Sequence, residues 1–474
     1  MFTRFLGGVT ACLGLAGALS AGQPAPVGTP SAAAPAAFPT RAVTTQLPAA
    51  APTTLPQGTA PLGTPAADPL MLGAQHPAYA ADPAAGPCGT DACLPAKACG
   101  TACDCLCGPP GRLWVSAEYL YWVAKGQNTP AFVTSSPAGT PRGTAGVLGA
   151  PGTSTLFGGD KLNDNFRSGL RVRAGAWLDD CQRFGVEGDF FFLGNSGQGF
   201  TATSNGSQIL ARPFVDALGN RANSQLVAFG GNSDSQLVAF PGVLAGSVGV
   251  RSSSDFIGGG LGLICNLCCD PCGRLDFVYG FRYLGLRDDI TINENLTALA
   301  GSNVPAGTQF LIQDRIRTTN NFYGANVGFN YERRFGHFFL GVRPTVALGV
   351  VHTNVDITGN TTIVTPAGVA TNFPGGLLTQ TSNIGSYSSN QFSVAPEIGV
   401  RAGVQVTEHL RAFVSYNFIA ITNVARAGDQ FDTRVNTNQI APASGGGGPA
   451  LPAFQLHRTT YNVQGIGAGL ELRY

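Results

Sequence analysis

Apolar and polar residues alternate along many segments of this 474-residue chain. Residues 170–178 read LRVRAGAWL and residues 465–474 read GIGAGLELRY, so one set of positions is apolar and the other is mostly charged or glycine. Successive side chains of a β-strand point to opposite faces, and a period of two therefore predicts strands with two chemically different faces. The chain is expected to be all-β from residue 112 onward.

The links between these alternating segments differ in length in a regular way. Tight links lie at 179–183, 266–273, 334–337 and 407–409, and long links rich in Gly, Asn and Thr lie at 126–166, 194–242, 295–309, 359–390 and 423–459. Bacterial outer-membrane barrels have even strand numbers, short periplasmic turns and long outside loops, so this rhythm predicts about ten strands, within a range of roughly 10 to 14. The predicted fold class is a closed antiparallel transmembrane β-barrel.

The composition disfavours a soluble enzyme. Charged residues make up 12% of the chain, whereas about a quarter of a typical soluble domain is charged. The formal net charge is +1, and no nucleic-acid partner is expected because such binding needs a concentrated positive patch. After residue 21, no stretch of the sequence approaches the roughly 20 consecutive apolar residues that a membrane-spanning helix needs. The lipid bilayer of the outer membrane is the expected partner, with Trp122, Phe190–Phe192 and Phe322 among the aromatic residues of the interface girdles.

The first quarter of the chain has three parts of different composition. Residues 1–21 contain Arg4, then an apolar run, then small residues of the kind found at a signal-peptide cleavage site. This pattern predicts a signal peptide for export. A lipoprotein signal ending at Cys12 is the alternative. Residues 22–87 are nearly uncharged and rich in Ala, Pro and Thr, which predicts a disordered linker. Residues 88–111 are interpreted as a cysteine-rich periplasmic preface, and residues 112–474 as the barrel.

Several phrases of the sequence go beyond this alternation. The segments CGPPGRLWVSAEYLYWVAKG, SGLRVRAGAWLDD, GFRYLGLRDDITINE and SYNFIAITNVARAGDQFD closely resemble an outer-membrane beta-barrel porin family, the seventh of its numbered series, over Cys105–Tyr474. The resemblance implies a barrel in the cell outer membrane more firmly than it implies transport, and it implies no catalytic residue and no cofactor. The final Tyr474 resembles the C-terminal strand signal that the outer-membrane assembly machinery recognises.

Charged residues on the inward faces of the strands form the candidate site. Seven arginines and six acids are expected there, and they nearly balance, which suits a confined lumen because unpaired buried charges are costly. They are Glu118, Arg171, Arg173, Glu187, Asp189, Asp276, Arg282, Arg343, Glu397, Arg401, Arg411, Glu471 and Arg473. Two hypotheses stay open. In the first, the charged side chains form a selectivity ladder, lining a channel for passive solute passage. In the second, they form a plug of ion pairs that fills the lumen of a structural or surface-interaction barrel. Barrels of about eight strands are filled by side chains, so ten strands favour the plug.

Eleven of the twelve cysteines follow the signal peptide. Export favours disulfides for them, and their odd number leaves one free or bonded to another molecule. They are Cys88, Cys93, Cys99, Cys103, Cys105, Cys107, Cys181, Cys265, Cys268, Cys269 and Cys272. The Cys88–Cys107 cluster is the expected place for cross-links. Residues 265–272 also resemble zinc or iron–sulfur spacing, but disulfides are favoured and no metal is expected.

Enzyme signatures are weak, and no enzymatic activity is expected. Residues 194–198 begin a G-x-S-x-G elbow but end in Gln198. Asp288 and Asp289 lie near the predicted outer end of a strand and are compatible with an omptin-like surface protease. No histidine is predicted to lie beside them. A secreted β-sandwich or lectin-like module is the remaining alternative. The sequence SQLVAF occurs twice, at 224–229 and 235–240, and has no functional interpretation.

Overall fold

The computed structural model of the protein describes residues 111–218, 235–269, 272–442 and 447–474. Ten strands form its main sheet. They are β1 (Leu113–Ala124), β2 (Phe166–Trp177), β3 (Phe184–Ser204), β4 (Leu244–Cys269), β5 (Gly273–Ala298), β6 (Gln309–Phe335), β7 (Phe338–Val364), β8 (Gly385–Gln405), β9 (Leu410–Val424) and β10 (Thr459–Arg473). No helix in these ranges is long and apolar enough to cross a membrane. The predicted signal peptide, linker and cysteine cluster at 88–107 lie outside the described residues.

The ten strands close into a ring of antiparallel neighbours. Each strand pairs with the next one along the chain, and β10 pairs with β1. At this seam Trp114 lies opposite Arg473 and Val123 lies opposite Gln464. A closed ring has no unpaired strand edge, which a sheet inside hydrocarbon requires. The predicted ten-stranded antiparallel barrel is confirmed, and the β-sandwich alternative is wrong.

The connections alternate in length as the sequence predicts. The connections at 178–183, 336–337 and 406–409 are short and lie at one end of the barrel, where β4 also ends at Cys269 and β5 begins at Gly273. The long connections lie at the other end. Because β1 begins and β10 ends at the short-turn end, both ends of the barrel domain lie on that side. In an outer-membrane barrel the short turns face the periplasm, so we call this the periplasmic end.

Four neighbouring strands are the longest of the ten, and β3 and β8, with 21 residues each, flank them. Strands β4–β7 contain 26 or 27 residues each, whereas β1 and β2 contain 12. About 9 to 11 residues cross a bilayer, so this wall continues far beyond the membrane on the outer side. The expectation of loops at 194–204, 295–298, 359–364 and 385–390 is wrong, since these residues extend strands. Beyond the bilayer the outward face meets water, so the apolar alternation that marks a membrane strand is lost there.

The long connections contain short strands of their own. A small sheet consists of Ala131–Ser136, Ser154–Gly158, Ile209–Pro213 and Ser235–Ala239. The remaining elements are the strands Gln127–Asn128, Lys161–Leu162, Val215–Asp216, Ala370–Pro374 and Arg434–Val435, and the 3-10 turns Arg142–Thr144, Gly428–Gln430 and Thr437–Gln439. The second SQLVAF copy supplies the last strand of the small sheet, and the first copy lies outside the described residues.

The small sheet packs against the tall wall and forms an outer cap. Val133 and Leu237 of the small sheet share one buried apolar core with Ile292 of β5 and Ile312 of β6. Burying each such side chain is worth about 1.5 to 3 kcal/mol. The cap, defined here as the small sheet and the wall residues of this core, is therefore a folded layer beyond the membrane.

The outer surface of the barrel is apolar where it meets lipid. Exposed side chains in this band include Val115, Leu170, Val172, Leu261, Phe281, Leu340, Val414, Ile466, Leu470 and Leu472. Phe190 and Phe192 are also exposed, as the girdle prediction requires, but Trp122, Phe191 and Phe322 are fully buried on the inner face. The girdle prediction is wrong for these three, because neighbouring residues of a pleated strand point to opposite faces.

Candidate functional site

The inner face of the barrel brings the predicted charged residues together. All thirteen point into the lumen, where they contact one another across the barrel or line its internal cavities. Those with the least exposure, at 5% or below, are Glu118, Arg171, Asp276, Arg282, Arg411 and Glu471. Alternate residues of ten strands share one interior only because the sheet is closed.

A first group of ion pairs crosses the middle of the barrel. Arg282 of β5 donates from Nη1 to Asp189 of β3 at 2.7 Å and from Nη2 to Glu397 of β8 at 2.6 Å. Arg171 of β2 lies 3.4 Å from the same Glu397 carboxylate. These contacts tie four strands together through two arginines. Such charge-assisted hydrogen bonds are roughly twice as strong as neutral ones.

Glu118 of β1 is held by polar side chains of β9. Arg171 lies 4.0 Å from this carboxylate and donates to Asn417 Oδ1 at 2.7 Å. Asn417 Nδ2 donates to Glu118 at 3.2 Å, and the Ser415 hydroxyl donates to the same oxygen. Ser415 and Asn417 were not among the predicted lumen residues, because only charged side chains identify the inner face in that prediction. Their alternation on β9 could have found them.

A second group of ion pairs lies toward the periplasmic end. The Glu471 carboxylate of β10 accepts from Arg473 at 2.7 Å, from Arg411 at 3.1 Å and from Arg401 at 3.5 Å. Arg411 also donates to Glu332 of β6 at 2.9 Å. The carboxylate therefore serves three guanidinium groups, and the arginines come from β8, β9 and β10.

Two further ion pairs complete this group. Arg343 of β7 binds Glu187 of β3 with both terminal nitrogens. Arg274 of β5 lies 2.7 Å from Asp276. Arg274 and Glu332 were missed as lumen residues, although both have the inward parity of their strands: Arg274 matches Asp276, and Glu332 matches the buried Phe322.

An apolar layer lies inside the barrel above the ion pairs. Nine of the ten strands contribute buried side chains to it, namely Leu120, Trp122, Ala124, Phe191, Leu193, Phe256, Leu284, Leu286, Phe322, Ala347, Val351, Ala395, Ile419, Ile421, Val424, Tyr461 and Val463. The rings of Trp122 and Phe191 are 5.6 Å apart, those of Phe191 and Phe256 are 5.4 Å apart, and those of Phe256 and Tyr461 are 5.1 Å apart. We call this set of side chains the apolar layer.

Little space remains among the charged side chains. A cavity of about 20 Å³ lies between Glu118, Arg173, Arg343 and Glu397. A second cavity, of about 50 Å³, lies nearer the periplasmic end and also touches Arg173, Arg343 and Arg401. A water molecule needs about 10 to 15 Å³ of such space, so these cavities fit one to a few water-sized guests.

Buried charges recur above the apolar layer, where residues of the long connections reach in. Arg426 donates to Asp288 of β5 at 2.5 Å, and neither side chain is more than 1% exposed. Higher still, Arg212 of the small sheet lies 2.5 Å from Glu294 and 2.6 Å from Asp314. These pairs join the connections to the tall wall.

The two aspartates that suggested a protease do not form a pair. Asp288 faces inward and binds Arg426. Asp289 faces outward, where Arg315 and Arg317 lie 2.5 Å and 2.9 Å from its carboxylate. Opposite faces of one strand separate the two carboxylates, and each is already bound by arginine.

The described cysteines gather at the periplasmic end. Cys181 lies in the turn after β2, Cys265, Cys268 and Cys269 lie in the last turn-side residues of β4, and Cys272 precedes β5. None of these five is a free thiol, and their pairing stays a prediction. Within the described ranges no group of three His, Cys, Asp or Glu residues is arranged to hold a metal ion. The cysteines at 88–107 lie outside those ranges.

Comparisons with known proteins add a family and several distant structures. The family model described as "Putative beta barrel porin-7" matches residues 114–474. The outer membrane protease OmpT from Escherichia coli aligns over 79% of this chain and 100% of its own, with 12% identity and a TM-score of 0.34. A Pseudomonas aeruginosa FadL homologue aligns over 76% of this chain and 89% of its own, with 8% identity and a TM-score of 0.18. No curated protein matches the chain.

Proposed function

The chain belongs to the beta barrel porin-7 family and is an outer-membrane β-barrel, and we propose that this barrel is plugged and serves to hold a folded cap at the cell surface. The apolar layer is the observation that carries the proposal. A solute on the barrel axis would have to pass between aromatic side chains that contact one another from β1 through β3 and β4 to β10.

An ion would meet a high barrier at the apolar layer. Moving an isolated charge from water into an apolar medium costs tens of kcal/mol in the idealised limit. Trp122, Phe191, Phe256 and Phe322 are each fully buried there. Passage therefore requires these side chains to move apart, which breaks the packing of several strands at once.

The ion pairs below the apolar layer favour a plug over a selectivity ladder. A ladder uses rings of charged side chains that bind passing ions weakly enough to release them. Here Glu397 is shared by two arginines and Glu471 by three. Carboxylates occupied in this way link strands to one another and are poorly placed to exchange with a solute.

The cap gives the plugged barrel a surface to present. Its core continues without interruption from the small sheet into the tall wall, so the cap is fixed to the membrane part by packing and by the Arg212 ion pairs. Its exposed residues come from Gly-, Asn- and Thr-rich segments. We assign the surface-interaction role to this region.

Planar-bilayer recording tests the proposal directly. Protein whose folded state is verified by heat-modifiable gel migration should give no stable current steps in repeated insertions. Stable steps from the unmodified protein would refute the plug and support passive solute passage, the second candidate function, which rests on the porin description of the family.

A designed opening supplies the positive control. Replacing Trp122, Phe191 and Phe256 together by Ala removes three contacting rings of the apolar layer, and the variant should conduct. The matched variant replaces Tyr121, Phe190 and Ile257 by Ala, which are exposed on the outside of the same strands, and should stay silent. Equal silence of both folded variants would show that the apolar layer is not the sole barrier and that the ion pairs below it also block passage.

We propose no catalytic function for the barrel. The opposite orientation of Asp288 and Asp289 argues against a protease that uses them together. Incubating the detergent-purified protein with a mixed peptide library tests this expectation, since cleavage that survives purification to homogeneity would overturn it.

Two partner assignments belong to the same proposal. The periplasmic-end cysteines, Cys181 and the group from Cys265 to Cys272, are proposed to form disulfides that staple the turns. Tyr474 is proposed as the contact with the assembly machinery: its side chain is 65% exposed, and its backbone binds Leu113 at the seam. Thiol labelling before and after reduction tests the disulfides.

A further inference from the structure

Arg173 differs from the other inward arginines of the membrane-level lumen. It lies on β2 opposite Asp189 of β3, and its Nε atom is buried without a hydrogen-bond partner. Among the residues that the structure describes, its guanidinium forms neither an ion pair nor a hydrogen bond. A charged group inside a barrel without an ion-pair or hydrogen-bond partner is costly. We therefore expect another group to bind the Arg173 guanidinium.

The nearby carboxylates are already bound by other arginines. Asp189 lies 2.7 Å from Arg282, and Glu187 is bound by both terminal nitrogens of Arg343. Toward the periplasmic end, Glu471 is shared by three arginines, Arg401 among them. No carboxylate among the described residues lies within ion-pair distance of Arg173, and the local charge is therefore positive.

Three guanidinium groups line the cavities in this positively charged part of the lumen. Arg173, Arg343 and Arg401 line both the cavity of about 20 Å³ and the cavity of about 50 Å³. A guanidinium donates hydrogen bonds and accepts none, so these groups favour a guest that only accepts. The cavity volumes exceed the roughly 10 to 15 Å³ that one water-sized guest needs.

We propose that Arg173, together with Arg343 and Arg401, binds one small monovalent anion of the size of chloride inside the barrel. The anion supplies the negative charge that the protein does not place beside Arg173. It would be held by three strands, β2, β7 and β8, and would add to the links between them. The proposal concerns charge balance in the lumen, so it holds whether the barrel conducts or is closed.

Anomalous diffraction locates such an anion without any mutation. Crystals of the full chain grown in detergent with sodium bromide should show an anomalous peak in contact with the Arg173 guanidinium. Crystals grown with sodium gluconate, whose anion is too large for the cavities, supply the control. A bromide data set with water at this position and no anomalous peak there would overturn the proposal.

Stability in solution gives an independent measurement. At constant ionic strength, replacing gluconate by chloride should raise the midpoint of the heat-induced gel shift by a few degrees, in a saturable way, because the anion binds the folded barrel alone. Arg173→Gln should lose this chloride dependence, and Arg173→Lys should keep part of it. Arg251→Gln, at an exposed position on the outside of β4, should respond as the unmodified protein does.

The outcomes separate this site from general salt effects. A chloride response that persists in folded Arg173→Gln would place the anion elsewhere and contradict the assignment. If Arg173→Gln does not insert, the unmodified protein still decides the matter, because a flat chloride titration together with an absent bromide peak rejects the site. Conductance, which tests the plug, is not used in either measurement.

Discussion

Pleat parity separates neighbouring residues of this barrel into lipid-facing and lumen-facing sets. Tyr121 is 44% exposed on the outside, whereas Trp122 is fully buried in the apolar layer. Phe190 and Phe192 flank Phe191 in the same way. One residue of displacement would exchange the two sets, so the register of each strand is strongly specified by the chemistry of its two faces.

Arg282 is the residue whose loss should weaken the lumen most. Arg282→Met leaves Asp189 and Glu397 with fewer partners, and breaking a buried ion pair from one side costs about 3 to 5 kcal/mol. Arg287→Met, at an exposed position on the same strand, should change stability by no more than about 0.5 kcal/mol. Urea unfolding followed by tryptophan fluorescence in micelles measures both. Similar losses in the two variants would mean that the lumen pairs contribute little.

Asp179 should make the periplasmic end sensitive to acid. Burial raises its pKa, but the backbone N–H groups of Phe184 and Arg183 and the Arg183 side chain, all hydrogen-bonded to its carboxylate, lower the pKa below its ordinary value overall. An acid whose pKa is lowered by folding stabilises the fold above its unfolded pKa of about 3.9 and loses this contribution as pH falls through the folded value.

The measurement compares Asp179→Asn with the unmodified protein between neutral pH and acid. The gel-shift midpoints should differ at neutral pH and converge as the pH falls through the lowered pKa of Asp179 in the folded protein. Asp180→Asn is the control, since the Asp180 side chain is 81% exposed. A constant difference at every pH would show that Asp179 acts through something other than its charge.

Strand length is the element-scale property that the sequence conveys least well. The membrane part of β7 alternates apolar and small residues, and the short turns mark its start, but its last residues, Gly359–Val364, are polar or small on the outward face. Only pairing with β6, for example Asp314 opposite Gly359, shows that the strand continues. Local patterns could not supply this information, because it depends on which strand lies next to it.

The small sheet of the cap should unfold separately from the membrane part of the barrel. Leu237 is 1% exposed in the cap core, and Leu237→Ala should cost about 2 to 5 kcal/mol, as large-to-small core substitutions do. Limited proteolysis should then cut the strands of the small sheet faster, while heat-modifiable migration of the barrel is retained. Leu148→Ala, at a residue that is 52% exposed, should not change the cleavage rate. If Leu237→Ala also abolished the heat-modifiable migration of the barrel, the small sheet and the barrel would unfold as one unit.

At the scale of the whole molecule, the sequence predicts the barrel better than it predicts the packing inside the barrel. Link lengths fix the strand number, and inward parity brings Arg171, Arg282 and Glu397 together because the ring is closed. The apolar layer was missed because Trp122 and Phe191 fit an interface girdle equally well by composition. The Arg426–Asp288 pair was missed because it joins a long connection to a distant strand, a contact that no local period encodes.

The seam between β1 and β10 also determines when the molecule can be completed. These two strands lie at opposite ends of the barrel sequence, yet they form consecutive hydrogen bonds along the wall. Contacts between residues so far apart along the chain form slowly, because the intervening chain must first be confined. The hairpins between them can form early, but the cylinder is sealed only after the final strand has been synthesised and exported. Until then both edges of the sheet are unpaired, and a chain without β10 would leave one edge of β1 and one edge of β9 without a neighbouring strand.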